Sequence, residues 1–132
     1  MKVIDVNNLV ATEREVRCPK GEFISLRPIL AKDGMGFSVH KTIIPKGTIG
    51  HWHYKHHLEA CYCIEGGGII LNLETREMFE VYPDVIYALD KHDDHQFYAA
   101  EDTVLISIFN PPVTGEEVHR EDGSYEGGLE NE

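Results

Sequence analysis

Apolar and polar residues alternate along most of this chain in short runs that glycines and prolines separate. In residues 58–64 the alternation places Glu59, Cys61 and Cys63 on one side and larger apolar side chains on the other. A period of two is typical of β-strands, whereas helices repeat every 3.6 residues. With twelve glycines and six prolines as breaks between the runs, the pattern predicts an all-β domain.

Eight strands are predicted, at residues 24–30, 37–44, 58–64, 68–73, 78–81, 85–89, 95–99 and 104–110. Short strands at such close spacing favour a β-sandwich or a barrel. Helix is expected only near the amino terminus, as a short turn around residues 6–9. Residues 12–15, Thr-Glu-Arg-Glu, also resemble a helix capping box.

Length and charge limit the possible partners. A chain of 132 residues is expected to form one domain. The formal net charge of -11 argues against nucleic acid and against anionic membranes, because both attract basic surfaces. Residues 116–132 are acidic and nearly free of aliphatic side chains, so much of this stretch is expected to be disordered. We expect a single domain at 1–125 and a flexible acidic tail at 126–132.

The three cysteines do not suggest a disulfide framework, since their number is odd and two of them, Cys61 and Cys63, lie on one strand. This usage favours a reducing cytoplasm. The pair fits small apolar core filling better than metal ligation. The amino terminus has no signal-peptide pattern, and no apolar run approaches the roughly 20 residues of a membrane helix. A soluble, cytosolic protein is expected.

Metal-ligating side chains are concentrated in residues 51–59, which hold four histidines and Glu59. Imidazole and carboxylate are common ligands of transition metals. A solvated histidine-rich loop is the alternative for such a run. A second segment, from Tyr87 to His95, again places an aromatic hydroxyl and histidines at the end of a predicted strand. The two segments could converge on one ion.

Strand period also predicts a polar pocket. In residues 37–44, Ser38, His40 and Thr42 share one face. Tyr87 and His95 lie on either side of a predicted turn at residues 90–94, so both could reach the mouth of a barrel.

Two spacings resemble the motifs of the cupin superfamily. The first is Gly47-x5-His53-x-Lys55-x3-Glu59-x6-Gly66, with lysine where the second histidine of the usual pair would stand. The second runs from Pro83 through Tyr87 to His95. The resemblance implies a cupin-type double-stranded β-helix, or jelly-roll barrel, with a short amino-terminal helix. Such a fold alone leaves function open.

Longer segments are more specific. Asp33-Gly-Met-Gly-Phe-Ser, His53-Tyr-Lys-His-His-Leu-Glu, Tyr87-Ala-Leu-Asp-Lys-His-Asp and Phe109-Asn-Pro-Pro-Val-Thr-Gly resemble the ectoine synthase family. The likeness runs over roughly residues 1–125. It implies a cytosolic, homodimeric, iron-dependent hydro-lyase. Such an enzyme cyclises N-γ-acetyl-L-2,4-diaminobutyrate to the compatible solute ectoine by eliminating water.

The resemblance also implies roles for particular residues. The family's metal ligands fall on Glu59, Tyr87 and His95, and would hold Fe²⁺, with zinc or another divalent ion possible. The other implied site residues are Arg27, His40, Thr42, Trp52, Tyr54, His57, Phe109, Glu117 and His119.

Among these residues, Glu117 and His119 are expected to transfer protons, with Tyr54 and His57 completing the catalytic group. Arg27 would hold the substrate carboxylate. Thr42, Tyr54 and Trp52 would shape the acyl side of the site.

Two positions depart from the family pattern. Phe23 stands where relatives often carry tryptophan, and His40 stands where others carry a smaller polar residue. Both bear on the fit of the substrate.

Each ligand has an ordinary alternative role. Tyr87 could be a core tyrosine, Glu59 could pair with Lys55, and His95 could bond to Asp93. Arg27, which precedes a proline, fits a surface residue equally well.

Two other functions compete with the hydro-lyase. One is an iron cupin dioxygenase or isomerase, which would act on another small molecule. The other is a non-catalytic, solute-binding cupin.

Overall fold

A computed structural model describes residues 1–115 of the chain. Ten strands account for most of the described residues: β1 Glu15–Arg17, β2 Ile24–Ile29, β3 Ser38–Ile44, β4 Ile49–Trp52, β5 Leu58–Glu65, β6 Gly68–Asn72, β7 Met78–Val81, β8 Ile86–Leu89, β9 His95–Ala99 and β10 Thr103–Asn110. They form two antiparallel sheets. The first has the order β1-β2-β3-β10-β5-β8, and the second has the order β4-β9-β6-β7.

All eight predicted strands are present, with small shifts at their ends, so the all-β prediction is confirmed. Strands β1 and β4 were not predicted. The helical turn at Val6–Leu9 exists as a 3-10 helix, and the side chain of Asp5 caps it by accepting a hydrogen bond from the Asn7 N–H at 3.0 Å. A second 3-10 helix, Ala31–Asp33, was also not predicted.

The capping-box prediction at residues 12–15 is wrong. The Thr12 hydroxyl donates to the carbonyl oxygen of Leu9 at 2.6 Å and accepts the N–H of Arg14 at 3.2 Å. These bonds close a turn, and Glu15 then begins β1. A threonine serves turns and helix caps with the same hydrogen bonds, so the local sequence does not separate the two.

The core lies between the two sheets. Phe97 and Cys63 are fully buried, and Ile44, Leu105 and Phe109 are almost fully buried. Burying a large apolar side chain stabilises a fold by about 1.5–3 kcal/mol. Outward-facing Tyr62 is far more exposed than its neighbours Cys61 and Cys63, which confirms the predicted faces of β5. None of the helices in residues 1–115 has the length and apolar character that crossing a membrane requires.

Strand β10 is central to the larger sheet, because it pairs with β3 on one side and with β5 on the other. Ser107 lies opposite His40 of β3 and opposite Cys61 of β5. Phe109 lies opposite Ser38 and Glu59 in the same way. Inward-facing residues of β10 therefore lie between the inward-facing residues of the two neighbouring strands.

Three successive glycines connect β5 to β6 at a crowded point. A Cβ atom on Gly66 would lie 2.1 Å from the carbonyl oxygen of Asp102, and one on Gly68 would lie 1.7 Å from that of Tyr98. Gly66 also has a φ of +70°, which side-chain-bearing residues rarely adopt. Gly66, the last residue of the first cupin-like motif, is thus required because the backbone of another strand lies too close for a side chain.

Asp33 ties the amino terminus to the barrel. Its carboxylate accepts hydrogen bonds from the Lys2 ammonium at 2.8 Å, the Arg14 guanidinium at 3.0 Å and the Leu30 backbone N–H at 2.8 Å. These three donors hold the pKa of Asp33 well below its ordinary value, with the Lys2 bond as the largest cause.

Candidate functional site

A cavity opens between the inner faces of the two sheets, with about 380 Å³ of empty space including its mouth. Eight of the site residues that the family resemblance implies line it: His40, Thr42, Trp52, Tyr54, Glu59, Tyr87, His95 and Phe109. Six further residues complete the wall: Phe23, Ser25, Ile44, Cys61, Leu105 and Ser107. Its lining is a mixture of aromatic rings and a few polar groups, which is typical of a small-molecule site.

The three proposed metal ligands reach this cavity from three strands. Glu59 lies on β5 and Tyr87 on β8, next to each other in the larger sheet, while His95 begins β9 in the smaller sheet. Tyr87 pairs with Cys61, two residues along β5 from Glu59, so Tyr87 and Glu59 are diagonal neighbours on one face. Strand alternation turns both side chains inward.

Glu59 is half-buried on the cavity wall. Burial raises the pKa of Glu59 to about 7, although hydrogen bonds from Cys61 and Ser107 act to lower it. A carboxylate in this position has lost part of the solvent that would normally stabilise its charge. A bound cation would supply that stabilisation.

The hydroxyl of Tyr87 is in a similar situation. Burial raises the pKa of Tyr87 well above its ordinary value, and the neighbouring Cys61 and Glu59 raise it further. Its ring stacks on Phe97, with centroids 6.2 Å apart. The stacking on Phe97 agrees with the alternative role of Tyr87 as a core residue. The side chain also lines the cavity, however, as a ligand would.

His95 is oriented by its own backbone. Its Nδ1–H donates to the carbonyl oxygen of Asp93 at 3.0 Å, which leaves the Nε2 lone pair as the ligating atom. Burial lowers the pKa of His95 and so favours the neutral ring. A histidine held in this way by its second nitrogen is the usual form of a metal-ligating histidine. The bond to Asp93 that the alternative role predicted is thus present, with the backbone carbonyl group as the acceptor.

The donor set fits a divalent cation. It combines one carboxylate, one phenol and one neutral imidazole, and burial opposes a free negative charge on both oxygen ligands. Within residues 1–115, no group of three His, Cys, Asp or Glu side chains is placed to hold a metal. The proposed set has tyrosine as its third member, so that observation does not count against it.

A second polar part of the wall comes from β3, with Ser107 of β10 beside it. The Thr42 hydroxyl is 2.9 Å from the Ser107 hydroxyl. His40 is buried, and its Nε2 has no hydrogen-bond partner among the described residues. Burial lowers the pKa of His40, as do the nearby charges of Arg27 and His57, so its ring is neutral. A buried, unsatisfied nitrogen beside a cavity is suited to contacting a bound molecule.

Aromatic rings form the rest of the wall. Tyr54 meets Phe109 edge to face at 5.2 Å between centroids. Trp52 packs against Phe23 at 5.8 Å and lies 6.3 Å from the ring of His95. Trp52 is only 5% exposed. It therefore belongs to the cavity wall of this chain.

Two predicted residues lie outside the cavity wall. Arg27 is 1% exposed, so the surface alternative for it is wrong. Its charge acts on nearby His40, and its Nε donates to Oγ of the cavity residue Ser25 at 3.1 Å. Arg27 also borders a separate cleft with Arg14 and Thr114. His57 is also buried and meets Phe109 edge to face at 5.9 Å. Glu117 and His119 fall outside the described residues.

The histidine run does not act as a unit. His51 Nε2 lies 2.5 Å from an Asp94 carboxylate oxygen near the surface, and His53 Nδ1 lies 4.0 Å from the same atom. His92, in the turn between β8 and β9, donates its Nδ1–H to the carbonyl oxygens of Tyr54 at 3.0 Å and His57 at 3.1 Å. This shared bond holds the loop before β5 in place.

Sequence reasoning missed Ser107, Ser25 and Cys61 as parts of the wall. Ser107 could have been found from its spacing, because it lies two residues before Phe109 on the predicted strand and so shares its face. A lone serine in an apolar strand carries no motif, however.

Comparisons with known proteins agree on one family. The sequence model described as Ectoine synthase matches residues 1–128. An L-ectoine synthase from Alkalilimnicola ehrlichii is 51% identical over 127 residues, which cover 95% of this chain and 94% of the relative. The crystal structure of ectoine synthase from P. lautus superposes with a TM-score of 0.85 at 41% identity, covering 93% of this chain and 87% of that one.

The cupin fold is also shown by more distant structures. An RmlC-like cupin protein from a Desulfovibrio desulfuricans subspecies aligns with a TM-score of 0.59 at 16% identity. The match covers 86% of this chain and 99% of that chain. At this level of identity the likeness is one of fold only.

Proposed function

The chain belongs to the ectoine synthase family and is a hydro-lyase that forms L-ectoine, and we propose that its substrate is N-γ-acetyl-L-2,4-diaminobutyrate. The observation that carries the proposal is the cavity whose wall includes Glu59, Tyr87 and His95, each from a different strand. In the reaction, a bond forms between the α-amino nitrogen and the acetamide carbonyl carbon. The carbon–oxygen bond then breaks, and the oxygen leaves as water with two protons that originate on the amine.

We further propose that Glu59, Tyr87 and His95 hold Fe²⁺, with zinc as the alternative ion. A mixed set of oxygen and nitrogen donors suits iron(II). When bound, the ion supplies a Lewis acid that polarises the amide carbonyl, which is otherwise a poor electrophile. The fit rests on the inward faces of the three residues, the orientation of the His95 ring and the partial burial of Glu59 and Tyr87, which raises the pKa of both.

The cavity walls position the substrate in this proposal. Phe109, Tyr54 and Trp52 hold the acyl side in a closed, apolar surrounding. His40 and Thr42 supply hydrogen bonds from β3. Ring closure needs the two ends of the substrate held together, and binding meets that entropy cost before the reaction begins.

Arg27 and His57 are proposed to act from behind this wall. The Arg27 guanidinium is buried beside His40, and a substrate carboxylate reaching that side of the site would meet its charge. His57 supports the ring of Phe109. We keep Glu117 and His119 as the proposed proton-transfer pair, with Tyr54 as a further catalytic hydroxyl at the cavity.

We also propose that the protein is a cytoplasmic homodimer. Cys18, Cys61 and Cys63 are all free thiols, as a reducing compartment requires. Strand β8 is the last strand of the larger sheet and its Ile86 is 59% exposed. Tyr62 and Ile108 are also exposed on the outer face of that sheet. Exposed apolar edge strands are commonly covered by another chain.

The test uses iron-loaded, oxygen-free protein and N-γ-acetyl-L-2,4-diaminobutyrate, with NMR detection of the cyclic amidine. Turnover without oxygen supports the hydro-lyase. A requirement for oxygen, with oxygen consumed in proportion to substrate, would instead support the iron cupin dioxygenase. Binding without any conversion would support a solute-binding cupin.

A further inference from the structure

His92 bridges the turn before His95 and the loop before β5. Its Nδ1 is 3.0 Å from the carbonyl oxygen of Tyr54 and 3.1 Å from that of His57. A carbonyl oxygen only accepts hydrogen bonds, so Nδ1 must carry the proton and His92 must be the donor in both bonds. The chemistry of the two partners therefore fixes the direction of this contact.

The two residues that His92 holds by their backbone both pack on Phe109 by their side chains. Tyr54 and His57 meet the Phe109 ring edge to face, at 5.2 Å and 5.9 Å between centroids. Both are buried, whereas His92 itself is exposed. The ring of Tyr54 is also 6.4 Å from the ring of His95. The position of two carbonyl groups thus helps to set where the Tyr54 ring stands in the cavity.

The turn that carries His92 has other hydrogen bonds of its own. The Asp93 carboxylate accepts the backbone N–H of Lys91 at 3.2 Å, and the Asp93 carbonyl oxygen accepts the Nδ1–H of His95 at 3.0 Å. Strand β9, which His95 begins, pairs with β4 on one side and with β6 on the other. Loss of the His92 donor is therefore expected to loosen residues 54–57 and to leave His95 in place.

We propose that His92 is a positioning residue for catalysis, whose Nδ1–H holds the loop before β5 so that Tyr54 keeps its place in the cavity beside Phe109 and His95. This inference rests on the proposed function, in which Tyr54 is a catalytic hydroxyl. A displacement of about 1 Å at a reacting group can slow catalysis about 100-fold. The inference also gives a role to a histidine that the proposed ligand set leaves out.

The test variants must suit the backbone at this position. His92 has a φ of +51°, a conformation that asparagine and aspartate adopt more readily than most residues with side chains. The side-chain nitrogen of asparagine is bonded to Cγ, as Nδ1 of histidine is, so His92→Asn offers an N–H at nearly the same place. His92→Asp has the same shape, but its carboxylate only accepts hydrogen bonds. The two variants therefore differ in the donor and not in backbone strain.

The first measurement needs neither a metal nor a substrate. Imidazole ¹⁵N NMR of the parent is expected to show the proton of the neutral His92 ring on Nδ1, because the hydrogen bonds that a histidine makes set its tautomer. A neutral ring with its proton on Nε2 would overturn the inference, since such a ring could not bind either carbonyl group.

The second measurement compares steady-state kinetics and metal binding. His92→Asp is expected to lower kcat by about 10- to 100-fold, whereas His92→Asn should recover most of it. Both variants should bind Zn²⁺ as the parent does in a direct titration, because the proposed ligands keep their places. Equal kcat values for the two variants would show that the donor does not matter. Loss of Zn²⁺ binding in His92→Asp would show that the bond acts on a ligand and not on Tyr54, and either result refutes the inference.

Tyr54→Phe separates positioning from a general loss of stability. If His92 acts through the Tyr54 hydroxyl, adding His92→Asp to Tyr54→Phe should lower kcat little further. A purely structural role of His92 predicts that the two effects multiply. Multiplied effects, or a parental kcat in Tyr54→Phe, would contradict the inference.

The matched control is His51→Ala, which removes another histidine contact of the same turn. His51 Nε2 lies 2.5 Å from the Asp94 carboxylate, whereas His92 binds the loop carbonyl groups. His51→Ala should keep a kcat near that of the parent, and circular dichroism checks that each variant is folded. A loss as large as that of His92→Asp would assign the effect to the whole turn and count against the inference. A parent that forms no ectoine would refute the proposed function, and this inference with it, even where NMR places the proton on Nδ1.

Discussion

Gly50→Ala tests the packing of the cavity wall. The ring of Trp52 lies directly over Gly50, and a Cβ atom there would be 2.2 Å from the nearest ring carbon. Carbon atoms in contact prefer separations of about 3.5–4.0 Å, so the ring must move by more than about 1 Å. Phe23 and His95 flank the ring at 5.8 Å and 6.3 Å between centroids, which leaves the cavity as the open direction.

We expect Gly50→Ala to lower the free energy of unfolding by about 1–3 kcal/mol, the usual cost of overpacking a core. It should also raise KM, because the displaced ring occupies space meant for the substrate. Trp52 is the single tryptophan of the chain, so its fluorescence reports the displacement directly. Urea unfolding gives the free energy, and steady-state kinetics give KM.

The smaller ring of Trp52→Phe provides the control. In the Trp52→Phe background, Gly50→Ala should lower the free energy of unfolding much less, because the smaller ring has fewer atoms close to the added Cβ. An equal loss of unfolding free energy on Gly50→Ala in the parent and in Trp52→Phe would contradict this explanation, because the loss would then arise from the backbone and not from the ring. An unchanged fluorescence spectrum in the single variant would also count against it.

Three further predictions follow from other parts of the structure. Glu59→Ala and His95→Ala should each abolish both metal retention, measured by elemental analysis, and ectoine formation; full turnover by either variant would remove that residue from the ligand set. Asp33 has a pKa below its ordinary value of 3.8, so it stabilises the fold above about pH 4, and this contribution is lost as the pH falls. Asp33→Asn should therefore destabilise the protein by about 1–2 kcal/mol at pH 7. In urea unfolding this difference should shrink progressively as the pH falls below about 4, because the unfolded carboxylate takes up a proton before the folded one does. A difference independent of pH would contradict the assignment. Ile86→Lys should convert a dimer to a monomer in light scattering, while an unchanged mass would place the interface elsewhere.

Much of the site was predictable because strand period alone fixes which residues share a face. Glu59 and Cys61 point inward for this reason, and Tyr87 and His95 both line the cavity from either side of the short turn between β8 and β9. The four-residue strand β4 was missed because glycine and histidine weaken the alternation there. Its pairing with β9 is a long-range contact that no local pattern reveals.

Arg27 shows a different limit. A charged residue before a proline is typical of a surface, and its burial depends on β2 lying against β3 and on bonds such as the one to Ser25. The capping-box prediction at residues 12–15 failed for a related reason, because one threonine serves both turns and helices. The proton-transfer roles of Glu117 and His119, the metal and the dimer stay predictions.

The two sheets of the barrel contribute unequally to the ligand set, since Glu59 and Tyr87 belong to one sheet and His95 to the other. An ion shared among them would act as a reversible cross-link through the middle of the molecule. A ligand at 100 times its Kd stabilises the folded state by about 2.7 kcal/mol, which corresponds to a rise in Tm of roughly 10 °C for a domain of this size. Melting curves recorded with different divalent salts would therefore rank the metals by affinity without any substrate.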